Sequence, residues 1–209
     1  GYTSASGDNA VKETLAASIN RRFGTDYTAD NLYMTVGAAA ALCCTLKGLC
    51  CPGDEFIVLA PYFPEYKVFI EGAGGVMKLI PAQIEDFQID FKALEESVGP
   101  NTKAVLVNSP NNPTGVVYSE ETITKLAALL EAKSAALGHP IYIIADEPYR
   151  EIVYSADRVP SWIPGIYSDT VGDTTLDSEE SLRGFRELTE LFTVYNMPTD
   201  VPSPGFYQQ

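Results

Sequence analysis

The sequence predicts an α/β fold in which a mostly parallel sheet is covered by helices on both faces. Between residues 8 and 145, apolar runs of about four to six residues alternate with amphipathic segments of helical length. This alternation is typical of parallel sheets, because helices cover both of their faces. The chain has 209 residues, 45% of them hydrophobic, and can bury a sizeable core.

Residues that begin and end helices mark the helical segments. Asp8 or Asn9 caps the first helix and Gly24 ends it, whereas Ser119 and Gly138 bound the longest one. Apolar residues at intervals of four give the first helix one hydrophobic face, made of Val11, Leu15, Ile19 and Phe23. The other helices are expected over residues 38–49, from Glu65 onward, and over residues 91–98.

The predicted strands place unusual residues at one edge of the sheet. Strands are expected over residues 56–59, 76–80, 104–107 and 141–145. Ligands of parallel sheets bind beyond the carboxyl ends of the strands. Three of these ends carry polar, aromatic or proline residues, over 61–63, 108–115 and 146–149. We therefore expect the functional site at this edge.

Charge and hydropathy restrict the possible partners. The chain has 28 acidic and 14 basic residues and a net charge of -14, which disfavours binding to nucleic acid. No apolar run approaches the roughly 20 residues that cross a bilayer. We therefore expect a cytoplasmic protein without a membrane partner.

Four cysteines stand in two adjacent pairs, Cys43 with Cys44 and Cys50 with Cys51. We interpret them as free thiols packed near a helix core, and we expect no metal site. Zinc ligands are usually separated by two to four residues, which this pattern does not match. A metal site or a disulfide remains the alternative.

Two segments suit a phosphorylated, planar ligand. Gly37 and the small residues Ala38 and Ala39 begin a helix, where free amides and the helix dipole favour an anion such as phosphate. Close helix packing is the alternative interpretation of these small residues. Phe63 lies between prolines in APYFPEY and can offer a flat face to a ring, although a core aromatic at a turn is the alternative.

Amides and an acid complete the predicted site. In NSPNNPTG, Asn108, Asn111 and Asn112 can present amides at a strand end, with a plain asparagine-rich turn as the alternative. Asp146 follows the apolar run IYIIA and can stabilise a protonated ring nitrogen, while Tyr149 can donate to an oxygen on the same ring. Pyridoxal phosphate fits the description of a phosphorylated, planar ring with a protonated nitrogen.

Five motifs carry a resemblance to a known family. GYTSASG, GAAAAL, APYFPEY, NSPNNPTGVVYSEE and DEPYREIVY stand in the order and approximate spacing of class I and II aminotransferases. This family consists of pyridoxal-phosphate enzymes of fold type I, and the similarity covers residues 1–171. It looks closest to bacterial aspartate or aromatic aminotransferases.

The resemblance implies a role for each matching residue. The amides around Ala38 and Ala39 would hold the phosphate, Phe63 would stack on the ring, and Asp146 would pair with the pyridinium nitrogen. Asn112 and Tyr149 would contact the ring oxygen, Asn112 also reaching the substrate carboxylate. Tyr2 would reach the phosphate in the neighbouring subunit of a homodimer. The implied reaction moves an amino group between an amino acid and a 2-oxo acid.

One element of the family is missing from the sequence. Family members attach the cofactor to a lysine that follows the Asp-x-x-Tyr segment, but all eight lysines here precede Asp146. We expect residues 1–171 to be a large domain without its lysine segment and residues 172–209 to be a fragment of the small domain. The chain as printed should then not transaminate at an enzymatic rate. The alternatives are a truncated, non-catalytic remnant that binds cofactor or a partner, and another fold type I reaction such as C–S lysis or decarboxylation.

Overall fold

The computed structural model describes residues 4–81, 83 and 85–150, together with the backbone of two short strands further on. The chain divides into two compact units, Gly1–Val171 and Gly172–Gln209. All described residues belong to the first unit. Tyr2 and the expected small-domain fragment, residues 172–209, lie outside the described residues.

Four parallel strands form the central sheet, in the order β2-β1-β3-β4. The strands are β1 (Glu55–Leu59), β2 (Val76–Ile80), β3 (Thr102–Asn108) and β4 (Tyr142–Asp146). Each begins and ends within one or two residues of its predicted bounds. Two further strands, β5 (Val159–Pro160) and β6 (Tyr167–Ser168), form a separate antiparallel pair.

In the part of the chain that the structure describes, five α-helices connect or precede these strands. They are α1 (Asn9–Phe23), α2 (Ala38–Leu49), α3 (Glu65–Ala73), α4 (Phe91–Ser97) and α5 (Glu120–Leu137), with a short 3-10 helix at Ala29–Asn31. The predicted caps are present. The Asp8 side chain accepts from the Val11 amide, and Ser119 accepts from the Thr122 amide. Gly24 and Gly138 end their helices in the left-handed conformation.

Alternate residues of the strands build a core on each face of the sheet. On one face, Ile57 and Leu59 of β1 pack with residues of α4 and α5 such as Leu94 and Leu126. On the other face, β1 and its neighbours pack with α2 and α3 through Phe56, Val58, Leu46, Tyr66 and Ile70. The predicted α/β class, with helices on both faces of a parallel sheet, is confirmed.

The predicted hydrophobic face of α1 is buried only in part, because Ile19 and Phe23 are half-buried but the first half of the face is exposed. Val11 is 47% exposed and Leu15 is 38% exposed, whereas Lys12 and Ala16 are 5% and 3% exposed. Helix α1 packs against the 3-10 helix. The Lys12 ammonium donates to Ser6 Oγ at 3.2 Å, which gives it a hydrogen-bond acceptor on the buried side.

The cysteines are free, but three of them are not packed in the core as expected. Cys43 and Cys44 are exposed on α2, Cys51 is exposed in the turn before β1, and Cys50 is half-buried. Within the described ranges no group of three or more His, Cys, Asp or Glu side chains could hold a metal ion. None of the described helices is long and apolar enough to cross a bilayer.

Candidate active site

The sheet has a crevice between β1 and β3. The chain leaves these two adjacent strands toward opposite edges of the sheet. From β1 the chain passes through α3 to the edge strand β2, and it returns through α4 on the opposite face to β3. Loops that leave adjacent strands toward opposite faces open a ligand crevice at the carboxyl ends of those strands. β4 adds its own end beside β3, because Asn108 and Asp146 are partners in the parallel register.

A cavity of about 190 Å³ lies at these strand ends. The structure brings six of the predicted site residues to its wall: Ala38, Ala39, Phe63, Asn112, Asp146 and Tyr149. A second cavity of about 340 Å³ shares Ala38, Leu42, Asp146 and Pro148 with the first. Asp146 therefore stands where the two cavities meet. The residues come from four segments that are distant in sequence and are joined by the sheet.

Gly37 lies directly before the helix start that contributes Ala38 and Ala39. Its φ of +90° is in the region that L side chains rarely adopt, so glycine is required by the backbone at this N-cap. The Thr35 hydroxyl donates to the Gly37 carbonyl at 3.0 Å and fixes the entry into α2. The first amides of a helix have no acceptor within the helix itself and are available to an anion.

Asn108 ties the end of β3 to both neighbouring segments of the site. Its Nδ2 donates to the Asp146 carbonyl at 2.8 Å, and its Oδ1 accepts from the Asn112 amide at 2.6 Å. Asn111 is likewise occupied within the protein, since its Nδ2 donates to the Pro61 carbonyl at 3.1 Å. Of the three asparagines that the sequence offered as ligand contacts, Asn108 and Asn111 thus use these groups for hydrogen bonds that join the segments of the site.

Asn112 points its amide at the tyrosine that follows β4. Its Nδ2 donates to the Tyr149 hydroxyl oxygen at 3.3 Å. The Tyr149 hydroxyl keeps its own proton for another acceptor, because its oxygen is the acceptor in this contact. The pair can therefore donate to one oxygen atom of a ligand in the cavity.

Asp146 has a partner within the protein that the sequence did not reveal. The Tyr66 hydroxyl, on α3, donates to Asp146 Oδ2 at 2.5 Å. Burial raises the pKa of the Asp146 carboxyl above its ordinary value, and the hydrogen bond from Tyr66 opposes that rise. Burial and then the hydrogen bond to Asp146 raise the pKa of Tyr66 far above its usual range, so the phenol remains a donor.

Comparison with known proteins decides the family. A model of the family described as "Aminotransferase class I and II" matches residues 1–173. This chain belongs to the class I and II aminotransferase family. A probable aspartate/prephenate aminotransferase of Thermus aquaticus is 38% identical over 154 residues. This alignment covers 73% of the chain and 39% of the relative.

Solved aminotransferase structures share the fold. An amino transferase from Eubacterium rectale is 57% identical with a TM-score of 0.75, covering 77% of this chain and 40% of that one. An Escherichia coli protein whose structure identified a methionine aminotransferase function is 28% identical with a TM-score of 0.71, covering 77% and 41%. The chain therefore spans about 40% of the length of these relatives.

Four cavity residues were not predicted as ligand contacts: Leu42, Tyr66, Phe69 and Pro148. A signal for Tyr66 existed, because it follows the predicted Phe63 by three residues at the start of a helix, a spacing that brings side chains together. The two rings meet edge to face with centroids 5.6 Å apart. The acceptor of the Tyr66 hydroxyl, however, is Asp146, which lies 80 residues further along the chain. No local sequence pattern indicates this contact.

Proposed function

We propose that this protein is a pyridoxal-phosphate-dependent aminotransferase that transfers an amino group between an amino acid and a 2-oxo acid. The observation that carries the proposal is the cavity in which an acid, an asparagine–tyrosine pair and a helix start lie together. Membership of the aminotransferase family supports the same conclusion.

The donors and acceptors of the cavity fit the cofactor group by group. The Asp146 carboxylate suits a protonated ring nitrogen, and the donors of Asn112 and Tyr149 suit the ring oxygen. The amides that follow Gly37, at Ala38 and Ala39, suit the phosphate. Phe63 lines the same cavity and can cover one face of the ring. We assign Tyr2 to the phosphate of the partner subunit in a homodimer, as the family resemblance implies.

The cofactor, when bound, supplies a sink for electrons released at the α carbon of the substrate. The protein's own contribution is to hold a proton at the ring nitrogen through the negative charge of Asp146. Asn112 and Tyr149 orient the ring through its oxygen, and Phe63 restricts its tilt. The half-buried position of Asp146 excludes part of the water that would otherwise weaken its interaction with a cation.

The substrate class is an amino acid and its 2-oxo acid partner in amino-acid metabolism. The relatives' names include aspartate, prephenate and methionine, so we propose no single amino acid as the substrate. We also place the protein in the cytoplasm, as its composition indicates. A cofactor-binding remnant without catalysis is the second candidate, and the position of all eight lysines before Asp146 favours it for the printed chain. The fold also supports C–S lysis and decarboxylation, which product analysis with sulfur and acidic amino acids would detect.

Binding of pyridoxamine 5'-phosphate tests the cofactor site without requiring a lysine. We expect saturable binding by titration calorimetry, and we expect Asp146→Asn to weaken it about 10- to 100-fold, because a hydrogen bond between charged groups is lost. Asp26→Asn, at an exposed position, is the matched control. Absence of binding, or equal affinity of the two variants, would contradict the proposal.

The transamination rate and the mass of the protein then distinguish the aminotransferase from the non-catalytic remnant. The printed chain is expected to bind pyridoxamine 5'-phosphate but not to convert 2-oxo acids at an enzymatic rate. If the protein purified from its source is heavier than the printed sequence and contains a lysine beyond Asp146, the aminotransferase candidate holds. If its mass equals that of the printed sequence, the remnant candidate replaces it.

A further inference from the structure

Tyr66 is buried in the core, but its hydroxyl reaches the site. The residue is 1% exposed and packs with Leu42, Phe56 and Ile70 between the sheet and helices α2 and α3. It is the polar member of an otherwise apolar cluster among the described residues. Phenylalanine would fill this position without the cost of burying a hydroxyl, so the hydroxyl needs a reason beyond packing.

The reason for the buried hydroxyl is its hydrogen-bond acceptor, Asp146. Among the described residues, the side-chain hydrogen bond recorded for the Asp146 carboxylate comes from Tyr66 and ends on Oδ2, at 2.5 Å. A carboxylate accepts through both of its oxygens. Oδ1 is therefore left for a second donor, and the cavity that Asp146 lines is where such a donor would sit.

We propose that Tyr66 is a positioning residue that keeps the Asp146 carboxylate ionised and oriented, so that the proton shared with the cofactor stays on the ring nitrogen. This inference rests on the proposed function. A neutral phenol lowers the proton affinity of the carboxylate by hydrogen bonding and adds no net charge that would repel the cationic ring. A cationic partner for Asp146 at the same place would compete with the ring for its negative charge.

Among the described residues around Asp146, Tyr66 is the one that donates a side-chain hydrogen bond to its carboxylate. Helix α2 contributes Ala38 and Leu42 to the cavity, and β3 contributes the neutral Asn108. The segment after β4 contributes the titratable Tyr149. It also contributes Glu147 and Arg150, whose side chains are paired at 3.2 Å in the neighbouring cavity. The effects on the pKa of Asp146 agree with this role of Tyr66. Burial raises the pKa and favours the protonated acid, whereas the Tyr66 hydrogen bond lowers it and favours the ionised acid.

The test uses the 209-residue chain with pyridoxamine 5'-phosphate labelled with ¹⁵N in the ring. In the native chain we expect the ring nitrogen to show the chemical shift of a protonated pyridine. In Tyr66→Phe we expect the shift to move toward the unprotonated value, because the proton passes to the more basic carboxylate. Tyr118→Phe removes another buried hydroxyl, in the core on the opposite face, and should leave the shift unchanged.

A pH profile gives a second readout. Affinity for pyridoxamine 5'-phosphate should fall as the pH drops through the pKa of Asp146, because the protonated acid no longer attracts the ring. In Tyr66→Phe the midpoint of this fall should lie about one pH unit higher, the size expected for losing one hydrogen bond to a charged group. The phosphate of the ligand titrates equally in both proteins and cancels from the comparison. In an Asp146→Asn background, the fall assigned to Asp146 should be absent, and Tyr66→Phe should leave the pH profile unchanged.

The outcomes separate this inference from the proposed function. If the native chain does not bind pyridoxamine 5'-phosphate, both are overturned. If it binds and Asp146→Asn weakens binding, while Tyr66→Phe changes neither the ¹⁵N shift nor the midpoint, the cofactor site stands and the role of Tyr66 is refuted. If Tyr66→Phe lowers affinity equally at every pH, its role is packing alone, which also refutes the inference.

Discussion

Asn108 offers the sharpest test of how the site is held together. It is 6% exposed and makes two hydrogen bonds, one to the Asp146 carbonyl and one from the Asn112 amide. Replacing it with alanine leaves both backbone groups without a side-chain partner in a poorly solvated turn. Each lost bond costs about 1–2 kcal/mol when its partner is left unsatisfied, so Asn108→Ala should lower the free energy of unfolding by about 2–4 kcal/mol.

Urea unfolding of the 209-residue chain measures this loss, with Asn101→Ala at an exposed turn as the control. The control should change the unfolding free energy by less than about 0.5 kcal/mol. A loss for Asn108→Ala no larger than that of the control would refute the reasoning, because the two bonds would then contribute nothing net.

The isosteric change Asn108→Asp adds a pH dependence of known sign. The introduced carboxyl can still accept from the Asn112 amide, but when ionised it faces the Asp146 carbonyl oxygen instead of donating to it. Burial and this contact should raise its pKa in the folded state above the ordinary value of about 4. The variant should therefore be nearly as stable as the native chain below about pH 4 and lose stability as the pH rises through the folded pKa. A pH-independent difference would contradict this account.

Two further predictions concern the core behind the site. Leu126 in α5 is 0% exposed, so Leu126→Ala should lower the free energy of unfolding in urea by about 2–5 kcal/mol. Val68 is 66% exposed, so Val68→Ala should lower it by less than about 0.5 kcal/mol. Similar values for the two variants would contradict the assigned core. Burial raises the pKa of Tyr118 to about 12. Because unfolded tyrosine titrates near pH 10, stability due to Tyr118 should be intact below about pH 10 and lost as the pH rises through 12, and Tyr118→Phe should remove that slope from alkaline unfolding curves.

The elements of the fold were predictable because their signals are local. Asp8 and Ser119 mark helix starts through a side chain that caps the amides just after it, and the apolar runs are short enough to be strands. The approach of Asn112, Asp146 and Phe63 was predictable as well, since the carboxyl ends of parallel strands share one edge of a sheet.

Contacts between distant segments could not be predicted in the same way. The periodicity of α1 identifies a stripe through Val11 and Leu15, but it does not say which neighbour covers the helix, and the buried side proved to be that of Lys12 and Ala16. Tyr66 is one of twelve tyrosines, and its spacing fits an ordinary core position. Only the tertiary structure shows that the Tyr66 hydroxyl, on helix α3, meets the carboxylate at the end of β4.

The position of β4 has a consequence for the protein before any ligand is present. Among the described strands of the main sheet, β4 pairs with β3 on one side and has no partner strand on the other. The apolar, proline-free run IYIIA that leads through it has the composition of segments that add to the sheets of other chains. Asp146 ends this run with a charge, which is how natural sequences discourage such aggregation. We therefore expect the carboxylate proposed for the cofactor also to oppose aggregation during folding, so that Asp146→Asn scatters more light during refolding than the Asp26→Asn control; equal scattering would contradict this expectation.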